Sequence, residues 1–204
     1  VSSTAIFGGT FNPVHNGHIK LATDVGKNFD IDRIIVMPSK IPPHKKAEDL
    51  ASDNDRLNMC RLAFEGLKGF EVSDYEIKNS SISYTYYTLK YFKETYPLEK
   101  LYFIMGGDML LSFTKWHRFE EILSMASIIA ASREKDQYAE LLRESEKLKR
   151  YNSEIYIIKS EPFVISSSEI REYVKNNKEI SCYLPNKVVQ YISENKIYEK
   201  MVEK

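Results

Sequence analysis

Cysteine is scarce in this chain: Cys60 and Cys182 are the only two, far apart and without paired spacing. That argues against a disulfide framework and fits reduced thiols in the cytoplasm. Net charge is lacking as well, because 29 Lys and Arg balance 29 Asp and Glu. Such a balance disfavours a nucleic-acid groove or an anionic membrane surface as the main partner. No apolar run reaches membrane-spanning length, and no leader-like segment opens the sequence. The expectation is a soluble cytoplasmic protein with no membrane partner. Linkers, internal repeats and low-complexity tracts are missing too, so residues 1–204 read as a single domain. Among aromatics only tryptophan is rare: Trp116 stands alone beside 14 Tyr and 10 Phe, a content that disfavours disorder.

What is present is concentrated near the N-terminus. The apolar run Ala5-Ile6-Phe7 ends in Gly8-Gly9, and Thr10-Phe11-Asn12-Pro13-Val14-His15-Asn16-Gly17-His18 follows. Ile19, Ala22, Val25 and Phe29 then recur at near-helical spacing. The pattern is a strand, a glycine turn and a helix N-terminus, where backbone N–H groups and the helix dipole can meet a phosphate. Gly8 and Gly9 have no Cβ to keep a ligand from the backbone. His15 and His18 also suggest a metal, but they lack a third ligand and the intervening Glu of a zinc-protease helix. The phosphate reading is preferred.

Further apolar, β-branched runs predict strands over 5–8, 33–37, 70–73, 101–105, 127–131 and 154–158. Helical patterns lie between them at 17–28, 53–67, 85–95, 119–124 and 138–151. This alternation predicts a doubly wound parallel α/β sheet, with ligands outside the carboxyl ends of its strands. A core over 1–160 is followed by a C-terminal helical segment over 161–204, with helices at 166–176 and 185–195 and fraying from Tyr198 onward.

Other constellations fall at strand ends. Ile41-Pro42-Pro43-His44-Lys45-Lys46 is a proline-stiffened loop whose cations suit a phosphate. Ser83-Tyr84-Thr85 opens a helix; Ser83 or Thr85 is expected to cap it, and its N–H groups would suit a carboxylate. Gly106-Gly107-Asp108 predicts a tight turn that offers Asp108 to sugar hydroxyls or a metal. Trp116, between Lys115 and His117, is either core or a platform for a flat ring. Ile165-Ser166-Ser167-Ser168-Glu169-Ile170-Arg171 combines a serine N-cap with a guanidinium, a set of groups able to clamp a polyphosphate.

Taken together these residues resemble the nucleotidylyltransferase family. Its signature Gly-Gly-Thr-Phe-(Asp/Asn)-Pro-x-His-x-Gly-His is matched from Gly8 to His18, and its second, Ile-Ser-Ser-(Thr/Ser)-x-Ile-Arg, from Ile165 to Arg171. Pro42–Lys45, Ser83–Leu89 and Gly106–Trp116 are similar to the branch that uses nicotinate mononucleotide. The resemblance implies a Rossmann-like fold and adenylyl transfer from ATP to nicotinate mononucleotide, in NAD biosynthesis. It implies His15, His18 and Arg171 as catalytic residues, and an ATP site of Gly8, Gly9, Thr10, His15, His18, Gly106, Ser166, Ser167 and Arg171. For the acceptor it implies Lys45, Ser83, Tyr84, Thr85, Asp108, Trp116, His117 and Arg133. Mg²⁺ would enter with ATP, held by phosphate and water rather than by protein ligands. A homodimer is left open.

Rival readings keep the chemistry and change the acceptor (nicotinamide mononucleotide, phosphopantetheine), or make the chain a cytidylyltransferase or a non-catalytic nucleotide sensor. The sensor reading predicts a lost His15, His18 or Arg171, and all three are present. A dehydrogenase-like binder fails at the first turn, which has no Gly-x-Gly-x-x-Gly.

Overall fold

In a computed structural model, described over residues 2–40, 50–79, 83–132, 135–151, 153–159 and 165–199, the apolar runs pair as one parallel sheet. In chain order the elements are β1 (Ser3–Gly9), α1 (Asn16–Asn28), β2 (Arg33–Pro38), α2 (Asp53–Phe64), β3 (Phe70–Val72), α3 (Tyr75–Asn79), α4 (Thr85–Thr95) and β4 (Lys100–Gly106). Then come α5 (Gly107–Leu111), α6 (Phe119–Met125), β5 (Ser127–Ser132), α7 (Lys135–Leu148), β6 (Ile155–Lys159), α8 (Ser167–Lys175) and α9 (Asn186–Glu194). Single 3₁₀ turns cover Phe113–Lys115 and Lys149–Tyr151. The strand order is β3-β2-β1-β4-β5-β6 and every pairing is parallel.

Alternate residues of each central strand enter opposite cores. Ala5, Phe7, Ile34, Val36 and Ile104 pack with α1, α2, α8 and α9 on one face. Ile6, Ile35, Met37, Phe103 and Met105 pack with α4, α5, α6 and α7 on the other. Burial on both faces is why the strands read as continuous apolar runs. Strand order reverses between β1 and β4. The carboxyl ends of β1, β2 and β4 therefore border one crevice, where such sheets take ligands.

Local chemistry sets the helix ends. Ser52 caps α2 by accepting from the Asp55 N–H (3.1 Å), and the helix stops at Phe64, before Gly66 at φ +77°. The expected extension to Leu67 is therefore not realised. Ser166 and Glu169 form a capping box on α8. Two short helices, α3 and α5, were not expected. The predicted tight turn at Gly106-Gly107-Asp108 is instead the first turn of α5. A Cβ at Gly107 would lie 2.8 Å from Leu141 Cδ1 and 3.0 Å from the Ala131 carbonyl oxygen, so only glycine lets α5 sit that close to β5 and α7. The expected fraying does not begin at Tyr198, whose hydroxyl hydrogen-bonds Asn12 Oδ1 at 2.7 Å.

Candidate active site

A cavity of about 470 Å³ opens in this crevice. Gly8, Gly9 and Thr10 from the end of β1 and Ser39 from the end of β2 line one side. Ser83, Tyr84 and Thr85, at the start of α4, line a second, backed by Glu76 of α3. Lys115, Trp116 and His117 close a third, with Phe103 and Ile122 beneath. Trp116 is half-buried, its ring set edge-on to Phe103 (centroids 6.1 Å) and tilted against Phe113 (5.2 Å). The same residue lines the cavity. The expected side-chain cap on α4 is absent: Tyr84 is the N-cap and makes no side-chain bond. Ser83 Oγ instead accepts the Lys40 N–H at 2.9 Å. The first turn of α4 thus meets the cavity without a side-chain acceptor of its own, which suits an anion.

Beside the cavity lies the first signature. His15 is the N-cap of α1, and its Nδ1 accepts the Gly17 N–H (3.2 Å). His18 Nδ1 accepts the His15 N–H (3.2 Å), completing a capping box made of two histidines. Their rings lie 3.8 Å apart at 35°. An Nδ1 that accepts a hydrogen bond holds no proton, so the neutral ring carries its hydrogen on Nε2. Each neutral histidine is thereby set as an Nε2–H donor. The expectation of free first-turn amides at α1 needs correction. The N–H groups of Asn16, Gly17 and His18 go to the Tyr183 carbonyl (2.9 Å), His15 Nδ1 and the His15 carbonyl (2.9 Å). Gly9 has a packing reason as well, since a Cβ there would sit 2.8 Å from the Phe11 ring, which packs edge-on to Phe7 and His18.

The second signature locks onto the first across 154 to 159 residues of chain. Ser167 Oγ donates to the Pro13 carbonyl (2.9 Å), and Arg171 Nη1 donates to the Asn12 carbonyl (2.9 Å). The Asn12–Pro13 peptide is cis. Arg171 Nε is buried and, among the described residues, has no hydrogen-bond partner. Ser166 is committed to Glu169, whose carboxylate accepts both its N–H (2.8 Å) and its hydroxyl (2.7 Å), and those bonds lower the Glu169 pKa. His15, His18, Ser167 and Arg171 thus meet at one turn, with Gly8, Gly9 and Thr10 leading from it into the cavity. Gly106 is the N-cap of α5. Asp108 is exposed there, accepts from Gln137 Nε2 (2.6 Å), and does not line the cavity. Lys45 and Arg133 fall outside the described residues.

Two residues of this region escape sequence reasoning. Glu76 lines the cavity but is 7% exposed, and burial raises its pKa, against hydrogen bonds from Thr88 and Ser83 that lower it. Arg56 is wholly buried under the turns after β1 and β2. Its one signal is placement on the apolar stripe of α2 with Met59, Cys60 and Ala63. Among the described residues no group of three or more His, Cys, Asp or Glu could hold a metal ion.

A parallel sheet with its switch point at a histidine- and glycine-bearing turn, beside a deep cavity, defines a Rossmann-like nucleotide-handling protein. A family model described as cytidylyltransferase-like matches residues 6–173, and the chain belongs to this family. It is similar to a Caldicellulosiruptor saccharolyticus protein named "Probable nicotinate-nucleotide adenylyltransferase", 42% identical over 96% of this chain and 98% of the relative. A Clostridium botulinum protein (strain Okra / Type B1) of the same name is 38% identical, again over 96% and 98%. Among solved structures, Plasmodium falciparum nicotinic acid mononucleotide adenylyltransferase complexed with NaAD shares the fold. Its TM-score is 0.76 at 22% identity, over 97% of this chain and 98% of that one.

Proposed function

We propose that this chain transfers the adenylyl group of ATP to nicotinate mononucleotide, giving deamido-NAD (nicotinate adenine dinucleotide) and pyrophosphate, in the cytoplasm. The carrying observation is the meeting of the two signatures at one turn beside a cavity walled by Trp116. The names of relatives at 42% and 38% identity support the choice of acceptor. An oxygen of the mononucleotide 5′-phosphate attacks the α-phosphorus, and the bond to the bridging oxygen breaks as pyrophosphate leaves. No protein nucleophile takes part, so catalysis is positioning and stabilisation of phosphate charge.

His15 and His18 donate from Nε2 to the ATP phosphates. Ser166, Ser167 and Arg171 hold the β and γ phosphates. Gly8, Gly9, Thr10 and Gly106 complete the ATP site. Trp116 stacks on the pyridine ring, and the backbone near Thr85 and His117 binds the carboxylate, a charge-assisted contact that a carboxamide forms less well. Ser83 and Tyr84 shape that wall, Lys45 and Arg133 take the acceptor phosphate, and Asp108 takes a ribose. Mg²⁺ would enter with ATP, held by phosphate and water, and would supply charge neutralisation to the phosphates.

The test is pyrophosphate release with ATP and Mg²⁺, offering nicotinate and nicotinamide mononucleotides in parallel. Strong preference for the acid is expected. Comparable rates would mean a dual-specificity pocket, and no release with either would overturn the proposal. In the same assay His18→Ala should lower kcat by roughly 100-fold or more while staying folded. Trp116→Ala should raise KM for the mononucleotide and leave that for ATP unchanged.

A further inference from the structure

Arg56 carries a full charge and has no exposed surface. All five N–H donors of its guanidinium are used. Nε donates to the Ala51 carbonyl (3.2 Å), and Nη1 to the carbonyls of Thr10 (2.8 Å) and Ser39 (2.6 Å). Nη2 donates to the Lys40 carbonyl (3.0 Å) and to the Asp53 carboxylate (2.6 Å). Burying a guanidinium is costly, and an apolar side chain would fill a helix face more cheaply. The partners suggest what the charge is for. Four carbonyls from three separate segments (the turn after β1, the end of β2 and the residues ahead of α2) are gathered on one rigid fork. Thr10 and Ser39 also line the cavity.

The effect carries across the site through peptide planarity. In a trans peptide the N–H points opposite to the C=O. With the Ser39 carbonyl turned to Arg56, the Lys40 N–H must face away, and it donates to Ser83 Oγ on the adjoining wall. Ser83 in turn hydrogen-bonds the Glu76 carboxyl. The Thr10–Phe11 peptide is oriented by the same guanidinium, at the turn that carries the first signature. One buried residue therefore sets a peptide on the ATP side and a peptide that reaches the acceptor wall.

We propose that Arg56 is a positioning residue that fixes the spacing between the ATP-binding turn and the acceptor wall. The inference rests on the adenylyl-transfer reading. In-line displacement is sensitive to that spacing, because small misplacements of reacting atoms cost far more in turnover than in binding.

Arg56→Lys keeps the charge and loses the fork. The expected result is a kcat lower by roughly 30-fold or more, with calorimetric Kd values for ATP and for the mononucleotide each within about threefold of wild type. Thermal unfolding run alongside corrects turnover for the folded fraction. Wild-type kcat per folded molecule would overturn the proposal, as would a loss appearing only in Kd. If Arg56→Lys does not fold, Asp53→Asn decides, since Asp53 is partly exposed and touches only one arm of the fork. Weakening that charge-assisted bond should lower kcat by about threefold or more at unchanged Kd; an unchanged kcat counts against the role. Wild-type protein inactive with the mononucleotide would instead sink the adenylyl-transfer reading itself.

Discussion

Glu76 is a carboxyl held where water barely reaches it, with Thr88 Oγ1 donating to it at 2.6 Å. Burial raises its pKa above the ordinary 4.5, and the Thr88 and Ser83 hydroxyls only partly offset this. In the window between the ordinary value and the raised one, the folded protein binds more protons than the unfolded chain. Stability then falls as pH rises through that window. Urea unfolding of wild type and Glu76→Gln from pH 4 to pH 8 should show the wild type losing ground to the variant as pH increases. A constant difference would mean that its hydroxyl partners cancel burial, and a wild type that gains would mean that they outweigh it. Cys60 lies at the other extreme: burial pushes its thiol up and leaves it an inert core residue.

At the scale of elements, α5 depends on having no side chain at Gly107. Gly107→Ala must move either Leu141 or the backbone at Ala131. It should cost about 1–3 kcal/mol in chemical denaturation, and a neutral result would mean that α5 shifts freely. That helix also marks a limit of sequence reading. Gly106-Gly107-Asp108 has the composition of a turn, and neither five-residue helix, α3 or α5, is long enough to show a period. The six strands and seven longer helices were legible because their apolar runs and 3.6-residue stripes record burial directly. Both signatures were legible as well, since each is an unbroken run of distinctive residue types, and the structure brings the two together at one turn. What stayed hidden works through the main chain. Arg56 serves carbonyls, which leave no trace in side-chain pattern. The histidine capping box spends the α1 amides that sequence reading had offered to the ligand.

For the molecule as a whole, the chain's two ends are fastened together. Tyr198 and the Ala51 N–H share Asn12 Oδ1 as acceptor, at 2.7 and 3.0 Å, while Arg171 holds the carbonyl of the same residue. Tyr198→Phe should cost about 1 kcal/mol in urea unfolding. An unchanged midpoint would mean that the tail contributes nothing to the turn. The same fastening bears on synthesis. A nascent chain that has not reached Ser166 already contains the first signature, yet Ser167 and Arg171, which brace Pro13 and Asn12, do not exist. Contacts of such long sequence separation form late in folding. The turn that carries the first signature is therefore braced only after synthesis has passed Arg171, so its final shape is among the last things the emerging polypeptide acquires.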